Sequence, residues 1–165
     1  RAMNSLDLSK VNVVSPYTVW CSGEDYHFIT DNDILYVVNF EKDENIEFGA
    51  YWFNLTNIKN KKSPNDYKLQ LAVICIIEEF FNKNPDILLY ICDSANRQQA
   101  MRSRLFLRWF NSFREKENFI IRTALLLDDD EENYIAMIVQ RDNPDIDSIL
   151  EYFENEIGMF RENKP

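Results

Sequence analysis

Glycine is scarce in this chain, which limits how much of it can be flexible linker. The 165 residues contain three glycines, five prolines and a single histidine. Long disordered or low-complexity tracts are not expected from such a composition. Hydrophobic residues make up 45% of the sequence and aromatic residues 14%. We therefore predict one globular domain over residues 1–165 with a sizeable core.

The chain also lacks long apolar runs and paired cysteines. No apolar run approaches the 18 residues that a membrane span needs, so no membrane contact is expected. Cys21, Cys75 and Cys92 are odd in number and have no metal-ligand spacing. Each lies in an apolar run, so we expect free cysteines in the core, no metal site and a reducing, cytoplasmic location. Arg1-Ala2 is expected to be an expression remnant, and residues 1–15 to be flexible.

Positive charge is in short supply and unevenly distributed. The net charge is −10, which disfavours binding to nucleic-acid backbones and anionic membranes. Between Arg97 and Arg122, however, the sequence contains seven basic residues and only two acidic ones. The remainder of the chain therefore carries −15. This concentration of arginine marks the segment as the place to look for a site.

The pattern of hydrophobic residues predicts an α+β domain. Antiparallel strands are expected over residues 17–22, 26–30, 34–40 and 46–55, with a turn at Gly23. A helix is expected to begin at Ser63-Pro64-Asn65-Asp66 and to continue to Asn82. A buried strand over 87–92, a helix over 95–116, a hairpin of strands 119–127 and 134–140, and a final amphipathic helix follow. The order is ββββ-α-β-α-ββ-α, around an antiparallel or mixed sheet.

The end of the buried strand is the candidate binding site. Asp93 ends that strand, and Ser94 can cap the next helix, whose N–H groups then point beyond the strand. Arg97, Arg104 and Arg108 fall within a narrow arc of this helix at 100° per residue. They could bind a phosphate or a carboxylate. They could equally pair with the acid-rich surface of the same molecule.

Arg102 projects into the apolar arc of the same predicted helix. A buried guanidinium needs a carboxylate partner, because an unpaired buried charge is costly. Asp93 is the first candidate partner, giving a structural buried ion pair, and Glu78 or Glu79 are the others.

Two further groups of residues could act in catalysis or bind a cation, although a purely structural interpretation is favoured for both. A nucleophilic pair of Cys92 and His27 is conceivable, but no oxyanion-binding motif accompanies it. The acidic run 128–132 could hold a cation, yet it lacks the alternating oxygen ligands and the glycine of a calcium loop. A solvated turn is the favoured interpretation of that run.

A Cys-Asp-Ser strand end is followed here by Arg, Arg-x-Arg-Leu-Phe and Trp-Phe. The residues are Cys92-Asp93-Ser94, Arg97, Arg102-Ser103-Arg104-Leu105-Phe106 and Trp109-Phe110. In these motifs the chain resembles small bacterial families of unknown function. The resemblance covers most of the chain and implies a bacterial protein, but no activity.

From about residue 26 to residue 140 the predicted order is three antiparallel strands, helix, strand, helix and hairpin. Asn96, Ala100, Arg104-Leu105-Phe106 and Phe110 look similar to motifs of the fourth helix of GCN5-related N-acetyltransferases. This second resemblance implies an acetyltransferase-like fold. Phe106 replaces the tyrosine that serves as general acid, and the loop 58–64, where a coenzyme A pyrophosphate would bind, contains lysines but no glycine.

These observations favour a non-catalytic bacterial binding or regulatory protein without a cofactor. Its partner would be a protein or a small anionic ligand at Asp93, Ser94, Arg97, Arg104 and Arg108. Roles in immunity, as an antitoxin or in phage conflict fit its size and acidity. The alternative is an acyl-coenzyme-A-dependent N-acyltransferase with an atypical phosphate loop, which would use acetyl-CoA. A nuclease is disfavoured, because Asp93 has no cluster of carboxylates around it in the sequence. The sequence leaves the oligomeric state open.

Overall fold

The computed structural model describes residues 2–59, 61, 66–93, 116–128 and 131–159. The first part of the chain forms helix α1 and four strands: α1 Leu8–Val14, β1 Trp20–Ser22, β2 Asp25–Ile29, β3 Leu35–Lys42 and β4 Ala50–Asn57. Helix α2, Tyr67–Lys83, leads into strand β5, Ile87–Asp93. A 3₁₀ turn at Lys116–Asn118 precedes β6, Phe119–Asp128, and β7, Glu131–Gln140. Helix α3, Ile146–Glu151, continues as a π-helical turn, Tyr152–Glu156.

The seven strands form one mixed sheet in the order β1-β2-β3-β4-β5-β7-β6. The pairing of β4 with β5 is parallel, and the other neighbouring pairs are antiparallel. Helix α2 is the crossover that a parallel pair requires. The predicted α+β class and mixed sheet are therefore confirmed.

Side chains that alternate along the strands divide the core into two clusters, one on each face of the sheet. On one face, α2 packs with residues such as Phe28, Val38 and Leu88, and α1 adds Val11. On the other face, Ile149 and Phe153 of the C-terminal helix pack against residues such as Leu89 and Met137. The expectation that the last helix docks on the sheet is confirmed. Ile157, a predicted member of its apolar stripe, is however 39% exposed, whereas Met159 is buried in the same cluster.

Residues 1–15 were expected to be flexible, but the structure forms helix α1 there. Asp7 caps the helix by accepting a hydrogen bond from the N–H of Ser9 at 3.1 Å. The backbone N–H of Asp7 donates to Glu79 Oε2 at 2.7 Å, and the N–H of Leu6 donates to the Tyr26 hydroxyl at 3.1 Å. These bonds tie the N-terminal segment to α2 and to β2.

Three local expectations need correction. The N-cap of α2 is Asp66, so the helix begins at Tyr67 and not at the Ser63-Pro64 pair. Strands β6 and β7 extend to the pair Asp128 and Glu131, so the connection between them is shorter than predicted. Cys21 is exposed while Cys75 is buried, so only one of these two cysteines is a core residue.

Candidate functional site

The candidate site lies at one edge of the sheet, where β4 and β5 end. Since β4 and β5 are parallel and α2 runs back between them, Asn57, the start of α2 and Asp93 all lie at this edge. We call it the carboxyl edge. Ligands of open sheets with parallel crossovers bind outside the carboxyl ends of the strands, because loops and a helix N-terminus meet there.

The β4–β5 ladder stops short of this edge. Within the described residues, the register pairs Ala50, Tyr51 and Trp52 with Ile87, Leu88 and Leu89. Beyond these pairs the rings of Phe53 and Tyr90 lie 6.0 Å apart between centroids on the α2 face. The two strands thus hold together near the start of β5 through their backbones, and further along through an aromatic contact.

The N-terminus of α2 is occupied by a carboxylate of the chain itself. Asp66 Oδ1 accepts from the N–H groups of Lys68 at 2.9 Å and Leu69 at 3.2 Å. Its other oxygen accepts from the Tyr17 hydroxyl at 2.7 Å. Burial, together with this bond to Asp66, raises the pKa of Tyr17 to about 12. Asp66 takes the position that an anionic ligand would occupy at an open helix N-terminus.

Two lysines near the same edge already have partners. Lys68 Nζ forms an ion pair with Asp31 Oδ2 at 2.7 Å, and this contact raises the pKa of Lys68. Lys61 Nζ donates to the backbone oxygen of Asp33 at 3.1 Å. Asn57 fixes the loop itself, because its amide donates to Lys61 O at 2.8 Å. The arginine-rich segment that follows β5 is a further source of positive charge near this edge.

Of the predicted site residues, the structure describes only the backbone of Asp93. The backbone of Asp93 lies in β5 opposite Asn133 of β7. The side chain of Asp93 and all of Ser94, Arg97, Arg102, Arg104 and Arg108 lie outside the described residues. The anion site, the Arg102–Asp93 ion pair and the predicted helix over 95–116 therefore stay predictions.

The surroundings of Glu79 and of Arg122, the last arginine of the basic segment, are described. Glu79, an alternative partner for Arg102, is buried and accepts the N–H of Asp7. Glu154 accepts from Arg122 Nε at 2.8 Å, so this arginine pairs with an acid of the same molecule. The interpretation of Arg97, Arg104 and Arg108 stays a prediction.

The structure excludes the nucleophilic pairing of Cys92 with His27 that the sequence left conceivable. His27 lies on β2 and Cys92 on β5, with β3 and β4 between them. Neighbouring strands are about 4.8 Å apart, so three spacings put the two backbones roughly 14 Å apart. His27 instead stacks on Trp20 with ring centroids 5.4 Å apart.

Neither a metal cluster nor a membrane helix is found within the described ranges. There, no group of three or more histidine, cysteine, aspartate or glutamate side chains could hold an ion. No helix in the same ranges is both long and apolar enough to cross a bilayer. The acidic run 128–132 falls partly in the β6–β7 pairing, with Asp128 opposite Glu131.

Sequence reasoning missed the cluster of Tyr17, Asp31, Asp66 and Lys68 at the carboxyl edge. Asp66 carried a usable signal, because aspartate directly before a helical apolar pattern is a strong N-cap. Tyr17 and Asp31 carried none, since they reach Asp66 and Lys68 across 49 and 37 residues of sequence.

Comparison with known proteins places this chain in a family. Residues 65–155 match the model of the family of unknown function DUF6169. The match runs from the start of α2 into the π-helical turn, so it includes the carboxyl edge of β5 and the arginine-rich segment. No curated protein and no solved structure matches the chain. Because the match covers more than half of its length, the protein belongs to the family of unknown function DUF6169.

Proposed function

We propose that the protein is a non-catalytic binding or regulatory protein of the bacterial cytoplasm. Its carboxyl edge would hold an anionic group, either a small ligand or an acidic segment of a partner protein. Asp93, Ser94, Arg97, Arg104 and Arg108 would form the contact, and no cofactor would take part. A role in immunity, as an antitoxin or in phage conflict would suit such a protein.

One observation carries this proposal. The β4–β5 ladder ends at Trp52 and Leu89, so the sheet does not continue as a paired ladder to the carboxyl edge within the described residues. The chain leaves β5 at that edge and enters the segment with its concentration of arginine. Lys61 and Lys68, which lie nearby, are engaged with Asp33 and Asp31. The arginines are therefore the groups best suited to bind an incoming anion.

A shift in thermal unfolding tests the proposal, with inorganic phosphate, nucleotides and an acidic peptide as probes. A ligand at about 100 times its Kd should add about 2.7 kcal/mol, which raises the unfolding midpoint by about 5–11 °C in a domain of this size. Arg97→Glu and Arg104→Glu should each abolish the shift. Lys83→Glu is the control, because it makes the same change of charge at the end of α2, at the opposite edge.

The probes also separate the two sources of the anionic group. A shift with phosphate or nucleotides indicates a small ligand, and a shift with the acidic peptide alone indicates a protein partner. The proposal is wrong if Arg97→Glu and Arg104→Glu leave every binding activity intact. It is equally wrong if Lys83→Glu removes binding as completely as they do.

An acyl-coenzyme-A-dependent N-acyltransferase is a second candidate, favoured by the sheet. The described elements from β2 to β7 are three antiparallel strands, a helix, a strand and a hairpin, which is the chain order on which the resemblance to GCN5-related N-acetyltransferases is based. The end of the β4–β5 ladder would suit an extended ligand that bears amide groups, because such a ligand can bond to strand backbones.

The start of α2 weighs against this second candidate. A pyrophosphate would need the N–H groups of Lys68 and Leu69, and Asp66 already binds both. None of the three glycines lies in the loop before α2, so close backbone approach to a phosphate is not favoured there. A thermal shift with acetyl-CoA alone, lost in Lys61→Glu and kept in Arg97→Glu, would favour the transferase over the binding protein.

A further inference from the structure

The face of the sheet opposite helix α2 is open over strands β1, β2 and β3. Phe28 of β2 and Tyr36 of β3 pack on the α2 face. Because side chains alternate along a strand, their neighbours in sequence point to the other face. The C-terminal helix packs on that other face, and the strand residues of its cluster come from β4, β5, β6 and β7. The side chains that remain there on β1 to β3, which we call the open face, are those of Trp20, His27, Ile29, Leu35 and Val37.

The open face is continuous across the three strands. Trp20 lies opposite His27, which lies opposite Val37, and the Trp20 and His27 rings stack with centroids 5.4 Å apart. In the next row on this face, Ile29 lies opposite Leu35. Trp20 is 40% exposed and Ile29 47%, and within the described part of the chain neither core cluster includes Leu35 or Val37. Contiguous exposed apolar surface of this kind is characteristic of docking sites.

Acidic residues surround the open face. Residues 20–57 make up less than a quarter of the chain, yet they contain eight acidic residues and one lysine, so they carry −7 of the net charge of −10. By the same alternation, Asp25 of β2 and Glu41 of β3 lie on the face that holds His27 and Val37. This charge favours a basic partner. It disfavours a second copy of the chain, which would bring the same acids to the contact.

We propose that the open face binds a basic amphipathic helix of a partner protein. An apolar sheet face is buried by packing another layer on it, and the C-terminal helix already forms such a layer on the same face over β4 to β7. A partner helix beside it continues that layer. Its apolar stripe contacts Ile29, Leu35 and Val37, and an arginine stacks on the exposed part of the Trp20 ring. Its other basic residues pair with the carboxylates of β2 and β3.

The proposed contact has a characteristic dependence on salt. Opposite charges bring the basic helix and the acidic face together, so salt should weaken their association. Raising the salt concentration from about 0.1 M to about 1 M shortens the Debye length from about 10 Å to about 3 Å. The apolar part of the contact is not screened, so the affinity should fall without being lost. The contact uses neither Asp93 nor the arginine-rich segment, and it is therefore independent of the anion site proposed at the carboxyl edge.

A display library of helical peptides, screened against the full chain, tests the proposal. Each peptide has about 18 residues, which is five turns of helix, with a fixed leucine stripe and polar positions drawn from lysine, arginine, aspartate and glutamate. The expected result is the selection of basic peptides whose affinity falls in high salt. Because the whole chain is acidic, the charge of the selected peptides does not by itself locate their binding site. Variants of the open face locate it.

Two variants and two matched controls are needed. Ile29→Ser should weaken binding of the selected peptides about three- to tenfold, because it removes an exposed apolar side chain from the contact. Asp25→Lys should weaken it through reversal of a charge. Val13→Ser is the control for the first variant, because Val13 is 82% exposed on α1, which packs on the α2 face. Asp142→Lys is the control for the second, because it makes the same charge change just after β7, with β4 and β5 between β7 and β3. Both controls should bind like the wild type.

Circular dichroism establishes that each variant is folded, and Trp20→Ala replaces Ile29→Ser if the latter does not fold. Selection of neutral or acidic peptides, or of none, overturns the proposal. Binding that Ile29→Ser and Asp25→Lys leave intact, or that Val13→Ser and Asp142→Lys weaken as strongly, overturns it as well. A wild-type chain that dimerises in sedimentation equilibrium and becomes monomeric in Ile29→Ser also overturns it, because a second copy then covers the open face.

Discussion

The two ends of strand β5 differ in how the chain around them is held. At the amino end, buried polar side chains fix the connections. Asn84 is 1% exposed, Asp86 5% and Asn143 7%. At the carboxyl end, buried and exposed polar groups lie side by side, because Asn57 is 5% exposed whereas the Lys68–Asp31 pair has side chains 53% and 65% exposed. The two ends thus differ in the exposed ion pair that the carboxyl end has beside its buried polar groups.

Gly49→Ala should produce the largest effect, because it disrupts the amino end. An added Cβ at Gly49 would overlap the carboxylate of Asp86, which is buried. Overpacking of this kind costs about 1–3 kcal/mol, and the burial of Asp86 limits how far its carboxylate can move aside. Chemical denaturation of the wild type and the variant measures it. In an Asp86→Ala background the same substitution should cost much less. An equal cost in both backgrounds would show that Asp86 does not fill this space.

Asn84→Ala should have the next largest effect at the same end. The Asn84 side chain accepts the N–H of Asn4 at 2.7 Å and donates to Phe80 O at 3.1 Å. Loss of these bonds at a buried position should cost about 2 kcal/mol. Asn82→Ala is a suitable control, because Asn82 lies on the same helix and is exposed. Equal denaturation midpoints for the two variants would contradict a structural role for Asn84.

Asp66→Ala probes the carboxyl end and should cost less, about 1 kcal/mol, through loss of the cap on α2. It has a second consequence that no amino-end variant shares. The N–H groups of Lys68 and Leu69 lose their partner. They should then bind inorganic phosphate, which would give the variant a larger phosphate-induced rise of the unfolding midpoint than the wild type has. A variant that is destabilised but shows no larger phosphate shift than the wild type would indicate that this helix end has no anion-binding capacity.

Tyr17→Phe should have the smallest effect at neutral pH, and its effect should depend on pH. The pKa of Tyr17 is raised from 10.0 to about 12 by burial and by its bond to Asp66. A folded-state pKa above the unfolded value means that the stabilisation is complete below pH 10 and is lost as the pH rises through about 12. The wild type should therefore lose stability relative to Tyr17→Phe between these values.

Denaturation at a series of alkaline pH values measures that difference. Tyr67→Phe is the matched control, because it removes a hydroxyl from a tyrosine that is 55% exposed. A difference between wild type and Tyr17→Phe that stays constant with pH would contradict the assigned cause.

Local patterns in the sequence predicted much of the fold. The Gly23 turn adopts φ 64°, and Asp33 in the next turn adopts φ 59°, as tight turns at these residues require. The apolar run 87–92 is a strand inside the sheet, where residues 87–90 are covered on both faces and Ile91 is 47% exposed. Helix α1 was not predicted, because it is only seven residues long and three of these residues are valines, which are weak helix formers.

The order of the strands could not be predicted from local patterns. Strand β7 lies between β5 and β6, although β6 precedes it in the chain. Such pairings join residues far apart in sequence, and composition carries no signal for them. The same limit applies to the Tyr17–Asp66 contact. For the proposed arginine site, the sequence showed that positive charge is concentrated between Arg97 and Arg122. The structure adds that β5, which precedes this segment, ends at the carboxyl edge.

The most direct test of the account is an NMR titration of the isotopically labelled protein with inorganic pyrophosphate and, separately, with acetyl-CoA and an acidic peptide. If the carboxyl edge is the binding end, at least one probe should perturb backbone amides of that edge, including those of Asn57, Lys61 and Asp93. Amides of Gly49, Asp86 and Asn143 should stay unchanged. Perturbations centred on the amino end, or none with any probe, would contradict the claim that the carboxyl edge is the binding end.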